Sequence, residues 1–287
     1  RGGVRPARDV AASLRGRITA LYDRFLSDDG REVDYAGMRG SSEFAAYVEA
    51  AGELQVVDVH ALSQAERSAF FINIYNAMVV HITAAVGPPS GGFLDQLTVF
   101  DRYSYDIGGH AYSGNDIENG VLRGNRPSAA SIGALVGRPE ISRGPFGPRD
   151  PRRAHVVLPM DPRVHFALVC GARSCPPIRT YTAEGLDQQL AAAAEAFCGP
   201  GGDGVRVINV GQRRVAVSKI IGSWYANDFG ADPAARLRTV AGYMPEGSQG
   251  RRDLMQVLDA GGAAVLGGDG DIIVELSEYD WSLNGKS

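Results

Sequence analysis

The chain of 287 residues is 44% hydrophobic and 22% charged, a composition that can bury a sizeable core and belongs with globular proteins. A net charge of −4 with a pI near 5.8 offers no basic footprint for nucleic acid, and no run approaches the ~18 uninterrupted apolar residues of a membrane span. Cys170, Cys175 and Cys198 are too few for a disulfide scaffold, and their odd number leaves at least one thiol unpaired within the chain.

Val10, Leu14, Ile18, Leu21, Tyr22 and Phe25 recur at helical spacing, and 44–54 repeats the pattern after a turn at Gly40, predicting two amphipathic helices. Ser63 followed by Glu66 is the signature of a capping box ahead of 70–86, which is apolar nearly all round and reads as the central buried helix. The Gly-Pro-rich stretch from Gly87 ends it. Segments 103–107 and 110–112 flank Gly108 and Gly109 as a hairpin, and Ser113 opens a short helix to Leu122. Residues 124–153, with Pro127, Pro139, Pro145, Pro148 and Pro151, are the least patterned and read as a loop.

Residues 164–170 are apolar except at His165 and read as a strand buried on both faces, which would deliver the turn from Gly171 to Cys175 to a sheet edge. Thr182 is an N-cap for an Ala-rich helix ending near Cys198. A hairpin across Gly211 joins 205–209 to 214–217, helices follow over 220–229, 234–243 and 253–259, and Asp269-Gly270 reads as a two-residue turn between 263–266 and 272–276. Helices, one central strand and antiparallel hairpins in this order predict an α+β fold, a single domain with a central mixed or antiparallel sheet packed by helices.

Cys175 stands before Pro176, which forces an extended or turn backbone, keeps its sulfur out of a regular ladder and so exposes it locally. As a thiolate nucleophile or redox thiol it would need a base, a cation such as Arg173 or Arg179, or a helix N-terminus; otherwise it is a small buried hydrophobe. His165 is the first partner to consider, yet it precedes Cys170 by five residues and so lies about 16 Å away along an extended strand. His81, His110 and His155 are equally eligible. The spacing of His155, His165, Cys170 and Cys175 lacks the short pairs of common zinc sites, so no metal and no cofactor is expected. A Cys170–Cys175 disulfide across the turn is geometrically possible and would make the site structural or redox.

Asn73 and Asn76 share one face of the apolar helix, either as anchors for a neighbouring loop or as donors to a substrate. Glu118 and Arg123 flank a short apolar helix, and Arg123 could hold a carboxylate bidentately or form a salt bridge, while Asp280 to Asn284 suits a tail docked back on the body. The G-x-S-x-G, P-loop and H-E-x-x-H signatures are absent from the sequence.

Together, the motifs from Ala69 to Ala77 (including Asn73 and Asn76), Asp116 to Arg123, Asp161 to Pro177, Ser218-Lys219 with Trp224 to Gly230, and Tyr279 to Asn284 resemble the domain-of-unknown-function family 547. The resemblance spans roughly 32–284, which implies one domain over 32–287 behind a helical extension at 1–31. Asn119 stands where the family shows histidine after the glutamate. The family pattern keeps the positions of Glu118, His165 and Cys175, and some relatives carry a glutaredoxin-like domain, which implies thiol chemistry; bacterial relatives are exported, which implies an extracytoplasmic place.

Two functions are then in play. One is a cysteine-dependent enzyme, papain-like or transglutaminase-like, with Cys175 as thiolate, His165 as base, Glu118 orienting it, and Asn73, Asn76, Arg123 and Arg179 binding an amide, thioester or thiol-bearing peptide such as glutathione. The other is a non-catalytic module whose Gly171 to Pro177 turn binds a peptide or small ligand, with Arg123 and Arg179 supplying charge. Nothing in the sequence sets an oligomeric state.

Overall fold

Ser63 starts the longest helix as the sequence predicts: its hydroxyl accepts from the Glu66 amide while the Glu66 carboxylate accepts from the Ser63 amide. The computed structural model describes residues 5–87, 93–129, 131, 142–262, 264–267 and 271–286. They fall into two compact units, one comprising the chain up to Val164, Leu168–Leu186 and the tail from Ser282, the other His165–Ala167 and Asp187–Trp281.

In the first unit, α1 (Ala7–Phe25) buries the stripe from Val10 to Phe25 and packs on α3 (Ser42–Ala51), which Ser41 caps by accepting from the Phe44 amide. Between them lies the short α2 (Tyr35–Arg39), capped by Asp34. The central helix α4 (Gln64–Val86) is buried from Ser68 to Val80 without interruption. By length and composition α4 could cross a membrane, but 78% of its most apolar window is already buried inside the fold. Helix α5 (Phe93–Arg102) leads into the hairpin β1 (Ser104–Ile107) and β2 (His110–Ser113), paired antiparallel with Ile107 opposite His110. Gly108 and Gly109 turn it with φ of 60° and 78°, and a β-carbon on Gly108 would sit 2.7 Å from the Val57 carbonyl oxygen. A π-helical segment, Asp116–Leu122, then carries Glu118 and Asn119.

In the second unit a mixed four-stranded sheet runs in the order β3 (Val205–Asn209), β4 (Arg214–Val217), β6 (Ile272–Leu276), β5 (Ala264–Leu266). Helix α6 (Leu186–Cys198), the one-turn α7 (Ala226–Phe229), α8 (Pro233–Ala241) and α9 (Gln249–Asp259) accompany it, with Phe166, Phe197, Val215, Leu237, Leu254 and Val274 in one core. The class is α+β.

Two local expectations change. Residues 164–170 are not a strand: Pro162–Phe166 forms a tight helical turn, started by Pro162 and by the Asp161 carboxylate, which accepts from the Arg163 amide. Their apolar run reflects burial, since Val164 to Val169 are all buried, and burial alone does not distinguish a strand from a buried turn. β5 and β6 pair in parallel, so they are not the hairpin a two-residue turn would have made; Asp269-Gly270 itself lies outside the described residues.

Candidate functional site

The segment around the two neighbouring cysteines is held from α4. The Asn76 side-chain oxygen accepts from the Val169 amide at 3.1 Å, while Asn73 donates to the Tyr181 carbonyl at 2.8 Å and accepts from the Tyr181 amide at 2.9 Å. These asparagines, three residues apart on one helical face, therefore fix the two ends of 169–181. Its middle is tied by the Ile178 amide donating to the Gly30 carbonyl, and by the C-terminal tail. The Asn284 amide donates to the Gly171 carbonyl and the Arg173 amide to the Ser282 carbonyl, both at 2.9 Å, while the tail's other edge bonds Val33 in both directions.

Within this frame the chain doubles back at Gly171, whose φ is +83°. The doubling places the Cys170 and Cys175 sulfurs 2.9 Å apart, and the Cys170 amide donates to the Cys175 sulfur at 3.1 Å. Both residues are thiols, not joined in a disulfide. Cys175, expected at an exposed turn, is 6% exposed, and Cys170 is the half-buried one. The cause is the Cys175 amide donating back to the Ala172 carbonyl, which folds the second cysteine under the turn. Burial pushes the Cys198 thiol of the second unit well up, and it takes no part in this site.

His165 belongs to the second unit. Its Nε2 meets Asp228 Oδ2 at 2.8 Å, both side chains are 1% exposed, and its ring stacks on Tyr225 at 4.1 Å. The carboxylate orienting this histidine is thus Asp228; Glu118, in the first unit, instead accepts from the Tyr75 hydroxyl at 3.0 Å. Arg123 is 5% exposed and its guanidinium donates to Asn119 Oδ1 and to the Pro127 carbonyl, so it braces the π-helical segment and the loop after it. Arg179 lies on the surface, where with Asp23, Asp28 and Thr180 it lines a cleft of about 580 Å³. Among the described residues no group of three or more His, Cys, Asp or Glu side chains is arranged to hold a metal ion.

The sequence offered no signal for Tyr35, whose hydroxyl donates to Asn284 Oδ1 at 2.8 Å beside Gly171. Asp228 and Asn284 were visible only as members of the motifs ending in Gly230 and Asn284, without a role.

His81 and His155 serve the structure. His81 Nδ1 meets the Tyr105 hydroxyl at 2.7 Å, and burial lowers its pKa. His155 is bonded at Nδ1 to the Tyr112 hydroxyl at 2.6 Å and at Nε2 to His60 Nε2 at 3.2 Å, so one of the two facing nitrogens must accept. Burial first, then His60, Arg67 and His110, lower its pKa to about 4, against a smaller opposing pull from Asp58. The folded state then binds this proton less readily than the unfolded chain, whose histidine titrates near ~6.5, so stability is complete above that value and declines as pH falls toward 4. Denaturant midpoints measured from pH 7 to pH 4 should fall, and the decline should be shallower in His155→Asn; equal slopes would refute the assignment.

Residues 59–198 match the family described as a protein of unknown function, DUF547. The matched stretch includes Asn73, Asn76, Glu118, His165 and Cys175; the motifs from Ser218 onward lie outside it. No curated protein and no solved structure matches the chain.

Proposed function

Because residues 59–198 carry a domain of the DUF547 family, whose function is unknown, the site's own geometry bears the reading, and we propose a thiol-dependent enzyme that exchanges thiols and disulfides at Cys170 and Cys175. The observation that carries it is the pair of reduced sulfurs 2.9 Å apart, one half-buried and one nearly enclosed. A covalent disulfide is about 2.05 Å long, so less than an ångström of closure separates the dithiol from the bonded form.

The chemistry follows from that asymmetry. The Cys170 thiolate attacks a small disulfide such as oxidised glutathione, forming a mixed disulfide and releasing one glutathione thiolate. The Cys175 thiolate then attacks the Cys170 sulfur, closing the Cys170–Cys175 disulfide and expelling the second glutathione. A dithiol or two monothiols reverse the sequence. An amide N–H aimed at the Cys175 sulfur favours its charged form over the neutral thiol. His165 is not required for exchange.

The test is trapping. Cys175→Ser, incubated with oxidised glutathione, should accumulate one glutathione on Cys170, whereas the wild type should carry little adduct and an internal disulfide. Absence of adduct on Cys170 in the variant sinks the proposal. The observation favouring the alternative, a ligand-binding module, is the 580 Å³ cleft at Arg179, whose size suits a small ligand and which needs no thiol. Under that reading both cysteines stay inert to the disulfide, while ligand binding weakens on Arg179→Ala.

A further inference from the structure

We propose that Tyr35 is the hydrogen-bond donor that stabilises the reactive thiolate of the Cys170 and Cys175 pair, and that Asn284 of the C-terminal tail holds its hydroxyl ready; this rests on the thiol reading above.

Tyr35 opens α2 immediately after Asp34, whose carboxylate caps the helix by accepting from the Gly37 amide at 2.7 Å. A β-carbon on Gly171 would stand 3.7 Å from the Tyr35 hydroxyl and 3.9 Å from Asn284 Oδ1, so both polar groups close over the residue that follows Cys170. The hydroxyl now donates to Asn284 Oδ1 at 2.8 Å, and the tail that carries Asn284 is itself bonded to Gly171 and Val33.

Tyr35 cannot readily become an anion here. Burial opposes its ionisation most and negative charge on Cys175 opposes it next; a bond from Thr83 pulls the other way, and Cys170 adds the smallest opposition. Tyr22 on α1 is also electrically coupled to it, and it too stays neutral because burial raises its pKa. The Tyr35 hydroxyl therefore keeps its proton across the range in which a thiol ionises.

A hydroxyl has one proton to give. While the cysteines are neutral, the Asn284 amide oxygen is the better acceptor. Once a thiol loses its proton to solvent, the sulfur anion is the stronger one, because a charge-assisted bond exceeds a neutral one. The hydroxyl then rotates from Asn284 to the sulfur, and no proton is transferred to or from Tyr35. Asn284 is thus a positioning residue that competes with the thiolate for the same donor.

That competition gives opposite signs in two variants. The experiment is the pH profile of iodoacetamide alkylation, with Cys170 and Cys175 quantified separately by peptide mapping and folding checked by circular dichroism. Tyr35→Phe, which keeps the ring and loses the donor, should move the profile to higher pH and slow alkylation at neutral pH by about 3- to 10-fold. Asn284→Ala removes the competing acceptor and should move it to lower pH. A Tyr35→Phe profile superimposable on wild type overturns the proposal, as do shifts of the same sign in both variants, which mark a general loosening of the turn. Alkylation needs no disulfide substrate, so a wild type that shows these shifts but does not exchange with oxidised glutathione supports the Tyr35 role and removes only the exchange reaction.

Discussion

Asn73→Ala is expected to destabilise the protein by about 2–6 kcal/mol, because the substitution strips the partners from both the amide and the carbonyl of one buried residue, Tyr181, and each unsatisfied buried group costs about 1–3 kcal/mol. The side chain is 6% exposed and makes both bonds to Tyr181, one to its amide and one to its carbonyl. Asn73→Asp should also fail, since a carboxylate can still accept from the Tyr181 amide but sets a negative charge against its carbonyl. Asn76→Ala removes the 3.1 Å bond to the Val169 amide and should cost about 1–3 kcal/mol. Guanidinium unfolding of the three variants checks these losses. A loss below about 0.5 kcal/mol for Asn73→Ala would show that α4 does not anchor the cysteine segment, and would remove the structural basis for the thiol site.

Asp228→Ala should cost about 1–3 kcal/mol, the penalty for taking a buried hydrogen-bond partner from the imidazole of His165. Asp228 and His165 are each 1% exposed at the side chain and meet at 2.8 Å, while Tyr225 and Phe229 cover the imidazole at 4.1 and 5.5 Å. Asp228→Asn keeps the volume and an acceptor oxygen and should recover much of the loss. Chemical denaturation followed by tryptophan fluorescence reports on the second unit through Trp224 and Trp281. Near-equal stability of Asp228→Ala and wild type would mean that the pair contributes nothing to holding this core.

Local signals carried much of this architecture. The Ser63 and Glu66 capping box, the Gly108-Gly109 turn and the apolar stripe of α1 are each decided by neighbours a few residues away, and each stands where the residues imply. Asn73 and Asn76 were legible as anchors because two amides on an apolar helix must find partners, although the partners themselves were not readable. What lay hidden depends on long-range contacts. His165 finds Asp228 63 positions away, and Tyr35 meets Asn284 across 249. No spacing rule links such residues. Cys175 looked exposed because Pro176 bars it from a ladder, yet a turn can fold its own second cysteine inward through one backbone bond, as the amide reaching Ala172 does. The 164–170 run misled for a related reason: an apolar stretch of that length states that it is buried and leaves its backbone conformation open.

The central claim, a dithiol that exchanges with small disulfides, is tested most directly by mixing the fully reduced protein with oxidised glutathione and mapping its cysteines by mass spectrometry while counting released thiol. The expected result is two equivalents of reduced glutathione per chain, a Cys170–Cys175 disulfide and a Cys198 that remains a thiol. Release of no glutathione, with Cys170 and Cys175 both still open to alkylation after denaturation, would contradict it.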